Sequence, residues 1–166
     1  MSDALDFVDA ALQRESGRQR AADSRARLGE DLDYYGCSVG AIRGALRDVA
    51  GRYPAVTGHD PVVELASELW SSPVYERRLA AVILLQTQVA LLDNTDLTRL
   101  EGFLRDGGVT ELVDTLAVEI LAPMISGLWE TGRGRAEAAL TRWASSDNPW
   151  LRRAAAQTRE HVSPRG

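Results

Sequence analysis

Arg78, Asp114 and Arg153 are the residues whose types and spacing could do chemistry together. The segment Trp70-Ser-Ser-Pro73-Val-Tyr-Glu-Arg77-Arg78-Leu-Ala-Ala is echoed downstream by Trp143-Ala-Ser-Ser-Asp-Asn-Pro149-Trp150-Leu-Arg152-Arg153-Ala-Ala-Ala, and the two Arg-Arg pairs lie 75 positions apart. That separation is two repeats of about 37 residues, a period typical of HEAT-type helical units. One such step from Arg77 falls on Val113-Asp114. Arg78, Asp114 and Arg153 are therefore expected at nearly equivalent places, early in the second helix of successive pairs. In a solenoid those helices line the concave face, so two guanidiniums and one carboxylate would project along one groove. A carboxylate placed there either acts on something bound in the groove or pairs with Arg78 or Arg153.

Other site chemistries find little support. Cys37 is the one cysteine, which excludes an internal disulfide framework and fits a reducing compartment. The two histidines, His59 and His161, have no ligand-spaced neighbours, so neither a metal site nor a cofactor is expected. All 19 basic residues are arginine, and the net charge is −5. That balance argues against binding nucleic acid over the whole surface but leaves room for a local arginine-lined groove. The longest apolar stretch, Leu79 to Leu92, is interrupted by Gln86, Thr87 and Gln88 and reads as a buried core helix rather than a membrane span. The acidic, amphipathic start of the chain does not resemble a signal peptide, and a cytoplasmic monomer is the expectation.

The elements that would carry these residues read as helices throughout. Ser2 can cap a first helix bearing Leu5, Val8 and Leu12 on one face, and Gly17 ends it. Arg18 to Leu28 is polar and arginine-rich. A turn at Tyr35-Gly36-Cys37-Ser38 leads into a helix from Val39 to Tyr53, stopped by Pro54. Beyond these N-terminal helices over 2–53, three helix pairs are expected at about 61–92, 95–129 and 135–162, separated by turn and cap residues such as Asp93-Asn94, Gly107-Gly108 and Ser145 to Pro149. Asp60 is expected to cap the helix opened by Pro61, and Asp147 the helix opened by Pro149. Trp143 and Trp150 read as packing residues at a repeat joint. The tail from His161 to Gly166 is expected to fray. The whole chain, 1–166, then forms a single all-α domain, a HEAT-like helical-repeat solenoid or α-α superhelix.

The string Trp143-Ala-Ser-Ser-Asp147-Asn148-Pro149-Trp150-Leu151-Arg152-Arg153-Ala154-Ala155 resembles the W-x-x-S-D-N-x-W-L-x-R-A-A signature of the AlkD-like DNA alkylation repair family. Tyr35-Gly36, Ile42-Arg43, Glu68-Leu69-Trp70 and Glu111-Leu112-Val113-Asp114 support it. The resemblance runs from about Leu5 to Gln157 and corresponds to the N-terminal two-thirds of a typical member. It implies a DNA glycosylase acting on N3- or N7-alkylated purines in double-stranded DNA, with Asp114 as the catalytic carboxylate. It implies that Arg153, Arg152, Arg78 and Arg43 contact DNA, and that the damaged base need not be flipped into a pocket. A register shifted by three residues would put Ala117 at the catalytic position, but spacing from Leu100 favours Asp114.

Three departures from the family pattern stand out. Thr110 stands where members carry a tryptophan four residues before the aspartate. A second tryptophan, supplied in the family by C-terminal repeats, has no counterpart, and Gly40 replaces a proline that usually opens the third helix. Beside the glycosylase stand two alternatives: a non-catalytic DNA-binding or damage-recognising relative, and a HEAT-type scaffold that binds another protein. Fold alone does not choose among them.

Overall fold

The computed structural model describes residues 2–164 and is all-α; among these residues the only bridge is an isolated parallel one between Asp33 and Val74. The chain divides into two compact units, one ending at Gln88 and one beginning at Val89.

The N-terminal unit holds α1 (Asp3–Arg14), α2 (Arg18–Leu28), α3 (Val39–Arg52), α4 (His59–Trp70) and α5 (Tyr75–Thr87). Ser2 caps α1 by accepting from the Leu5 amide, and Glu68 of α4 takes the Ser2 amide and hydroxyl at 2.9 and 2.7 Å, tying the chain start to the core. Leu5, Val8 and Leu12 are buried at helical spacing, whereas α2 buries nothing and is a solvated helix. Helix α5 begins at Tyr75, two residues after Pro73. Asp33 donates to the Pro73 carbonyl and accepts from the Tyr75 amide at 2.8 and 2.9 Å, which holds Val74 extended. The same loop is anchored by Glu76, 1% exposed, whose carboxylate accepts from the Tyr35 and Gly36 amides at 2.8 and 2.9 Å. Two charge-assisted bonds satisfy a buried carboxylate that would otherwise be costly. Gly36 is required there: φ is +81°, and a Cβ would stand 2.1 Å from the Gly17 carbonyl oxygen. Helix α4 starts earlier than expected, with Gly58 as its cap and Asp60 inside the first turn.

The C-terminal unit holds α6 (Leu97–Arg105), α7 (Thr110–Thr115), α8 (Ala122–Ser126), α9 (Glu130–Ala144) and α10 (Pro149–His161). Helices α7 and α8 are joined without a break by a π-helical stretch, Leu116–Leu121, so residues 110–126 form one rod with altered pitch in its middle. Val109, Leu112, Val113, Leu116 and Ile120 form its buried side. Helix α10 packs on α6, α7, the π stretch and α9. The expected fraying of the tail is corrected as far as Ser163: its amide donates to the Ser126 hydroxyl at 2.9 Å, and its carbonyl accepts from Arg133 at 2.8 Å. Arg165 and Gly166, the end of that expected tail, lie outside the described residues.

Candidate functional site

Helix α10 is set by the string that the sequence singled out. Its cap is Asn148, not Asp147: the Asn148 carboxamide oxygen accepts from the Trp150 and Leu151 amides at 2.9 and 3.2 Å. Asp147 is exposed and makes no cap bond. Pro149 takes the first helical position, where a missing N–H costs nothing. Trp150 lies against the α6–α7 turn at Gly107, where a Cβ would come within 2.5 Å of its ring. Trp143 is 1% exposed, and its indole N–H donates to Glu101. With Leu151, Ala154, Ala155 and Thr158 directed into the core, Arg152 and Arg153 face solvent.

Arg153 closes a bidentate fork on Asp114 of α7. Its Nε donates to Oδ1 at 2.6 Å and its Nη2 to Oδ2 at 2.8 Å. The side chains remain 44% and 32% exposed, so the pair is open to a ligand. The hydrogen bond and then the charge of Asp114 push the Arg153 guanidinium above its already high ordinary value. Planar fork-on-carboxylate geometry fixes the orientation of both groups. The π stretch begins two residues beyond Asp114, at Leu116, so the carboxylate sits where the helical pitch changes. Thr110, the first residue of α7, is exposed and stands four positions before the aspartate.

Counting from the N-cap of each helix shows which candidates are equivalent. Asp114 is the fifth residue after Val109, Arg153 the fifth after Asn148, and Arg43 the fifth after Ser38. The fifth residue after Val74 is Leu79, whereas Arg78 is the fourth. The expected equivalence of Arg78 with Asp114 and Arg153 is thus corrected by one residue, about 100° around a helix. Arg78 is only 6% exposed; its Nε donates to the Trp70 and Ser72 carbonyls at 3.1 and 3.4 Å, and its guanidinium lies 4.9 Å from the Trp70 ring centre. Buried and engaged in this way, it is not the groove-facing arginine the sequence suggested. Its true counterpart is Arg152, also the fourth residue after its cap, which donates to the Ser146 carbonyl at 2.8 Å and stays exposed. Arg43 is exposed on α3, with Arg47 one turn further on. Arg47 escaped the sequence reading, although its i, i+4 spacing from Arg43 was a usable signal.

Tyr34 and Tyr35 are occupied in the N-terminal unit: the Tyr34 hydroxyl donates to the Gly29 carbonyl at 2.8 Å, and that of Tyr35 to Asp9 at 2.7 Å. Among the described residues no group of three or more His, Cys, Asp or Glu side chains could hold a metal ion, and no helix is long and apolar enough to cross a membrane. Residues 8–162 match the profile of a family described as DNA alkylation repair enzyme. No curated protein matches the chain.

Proposed function

The chain belongs to the DNA alkylation repair enzyme family, and we propose that it is a glycosylase that releases N3- or N7-alkylated purines from duplex DNA. The observation that carries this reading is the half-buried, solvent-accessible Asp114 carboxylate, held in one orientation by Arg153. An alkylated purine is cationic while attached to the sugar. When the bond to C1′ breaks, its electron pair goes to the base, which leaves neutral and needs no general acid. Positive charge then develops on the deoxyribose. A pre-oriented carboxylate beside that sugar stabilises the oxocarbenium-like state and can receive a proton from the water that adds to C1′. Arg153, with N–H groups beyond those spent on Asp114, supplies a phosphate contact that sets the register of the strand; exposed Arg152 extends it, and exposed Arg43 offers a phosphate contact of its own in the N-terminal unit. Arg78 is left out of this set because its burial supports a structural role.

A test is base release from methylated duplex DNA. Asp114→Asn keeps the shape and removes the charge, so the rate should fall roughly a hundredfold to a thousandfold while DNA affinity holds or improves. Arg153→Ala should weaken DNA binding and flatten its salt dependence by about one phosphate contact. Thr110 favours a second reading, a damage-recognising relative without catalysis, since the family's tryptophan is missing beside the aspartate. Under that reading the wild type releases no base, Asp114→Asn changes nothing, and salt-dependent DNA binding remains. Under the first, Thr110→Trp should raise activity.

A further inference from the structure

The N-terminal unit contains a cleft between α3, α5 and the loop after α3, with a volume of about 280 Å³. Arg43 and Arg47 stand at it, and Leu46, Val56, Ile83 and Leu84 supply aliphatic walls. Both arginines are exposed, and among the described residues neither has a hydrogen-bond or ion-pair partner. Two like charges one turn apart on a helix repel each other. No direct ion pair among the described residues takes up either guanidinium, so both can turn their N–H groups to an anion. Two further polar residues line the cleft: the Thr87 hydroxyl is spent on the Leu84 carbonyl at 2.9 Å, whereas the Gln88 carboxamide, which has no partner among the described residues, offers both a donor and an acceptor.

We propose that this cleft binds one unpaired nucleotide of a DNA strand, with its phosphate on Arg43 and Arg47 and its base against the aliphatic walls. This rests on the DNA-directed reading above and shares Arg43 with it, but uses neither Asp114 nor Arg153. The volume is at the small end for ligand clefts and admits a single flat group, not a duplex. A paired base cannot enter, so the occupant is unstacked. The amide of Gln88 distinguishes a base from a plain hydrocarbon tail. A base edge can satisfy both its donor and its acceptor, whereas an alkyl anion would bury the carboxamide unpaired. Arg43 also stands at the same position after its helix cap as Arg153, the phosphate contact proposed for the other unit.

Two measurements on the full chain test the proposal. In titrations at low salt, 2′-deoxyadenosine 5′-monophosphate should bind at least tenfold more tightly than deoxyadenosine, inorganic phosphate or octyl phosphate. Arg47→Ala and Gln88→Ala should each reduce that preference, with unchanged thermal midpoints showing that the variants fold. In the second measurement, duplexes carry 2-aminopurine either paired or as a one-nucleotide bulge. The bulge should bind more tightly, and Arg43→Ala or Arg47→Ala should lower the bulge-to-paired ratio, whereas Arg153→Ala should weaken both duplexes in parallel and keep the ratio. Octyl phosphate binding better than the nucleotide overturns the assignment in favour of an amphiphile site. A ratio unmoved by both α3 variants, with DNA still bound through Arg153, overturns this site alone. No binding of either duplex by the wild type overturns the DNA reading and this proposal with it.

Discussion

The segments Trp70–Arg78 and Trp143–Arg153 look alike in sequence and use their arginines in opposite ways. Each joins two helices by a short serine-containing turn and opens the second helix with an arginine pair close behind. In the N-terminal unit both arginines turn inward: Arg77 reaches Asp9 at 3.7 Å with its side chain 12% exposed, and Arg78 clamps the turn carbonyls beneath Trp70. In the C-terminal unit Leu151 takes the place of Arg77, Arg152 makes a looser clamp on its turn, and Arg153 is left over for Asp114. The difference is one residue of helical register. It teaches that in this repeated motif the distance from the cap sets an arginine's surroundings: the fourth residue holds the turn, and Arg153, the fifth, reaches solvent beside Asp114.

The largest effect expected from this contrast is chemical. Burial pushes the Cys37 thiol up to about 12 from an ordinary value of 9.0. At pH 8 the folded chain should therefore carry roughly a thousandfold less thiolate than the unfolded chain, and alkylation by iodoacetamide should be slowed in proportion. Burial also raises Tyr34 and Tyr35. These are acids that the fold holds protonated. Their contribution to stability is complete below the unfolded values and drains away as pH rises from about 9 toward 12. A thermal midpoint that stayed flat across that range, or a Cys37 that reacted freely at pH 8, would contradict a dry, loop-anchored interior in the N-terminal unit.

Next in size is Gly36→Ala. The added methyl would meet backbone at 2.1 Å from the Gly17 oxygen and 2.6 Å from the Ala21 nitrogen, and would force a side chain into φ +81°. Left-handed strain and overpacking together predict a loss of roughly 2–5 kcal/mol by denaturant unfolding. Gly107→Ala should cost less, roughly 1–3 kcal/mol, because the obstacle is the half-buried Trp150 ring, which can shift, rather than backbone. If the two losses were equal, the α2–α3 loop would not be the rigid anchor that Glu76 makes of it.

Helix existence and the buried faces were legible in the sequence because the apolar period of Leu5, Val8 and Leu12, and of Leu112, Leu116 and Ile120, is strong. Helix starts were less legible. Pro73 would suit the first turn of a helix, but α5 starts only at Tyr75, because the Pro73 carbonyl is taken by Asp33, a partner 40 residues away. Asp147 and Asn148 are equally good caps by residue type, and only the turn geometry, with the Asn148 amide bonded to the Ser146 hydroxyl at 3.1 Å, selects the second. The same uncertainty of one residue at a cap decided the site. It left Asp114 with two possible arginine partners, Arg78 or Arg153, and the structure pairs it with Arg153. The π stretch after Asp114 has no composition signal, since Leu-Ala-Val-Glu-Ile-Leu suits an ordinary helix equally well.

The smallest effects on stability are expected at Arg152 and Arg153, and set against Arg78 they sharpen the register argument most. Arg78→Ala removes a buried guanidinium, a ring contact and the donor to two carbonyls, so unfolding should become easier by roughly 2–4 kcal/mol. Its counterpart Arg152→Ala removes one bond from an exposed side chain to the Ser146 carbonyl, which water can replace, and stability should stay within about 0.5 kcal/mol. Arg153→Ala should likewise leave the thermal midpoint unmoved, because an open ion pair trades its attraction for hydration. DNA affinity should rank the three differently from stability. Arg153→Ala should weaken it most, Arg152→Ala by a smaller step, and Arg78→Ala only in so far as folding is lost, which a titration well below its melting point separates. Should Arg78→Ala lower DNA affinity at full folding while Arg153→Ala does not, the arginine that faces DNA would be the fourth after the cap, and the assignment of Arg153 beside Asp114 would have to be reversed.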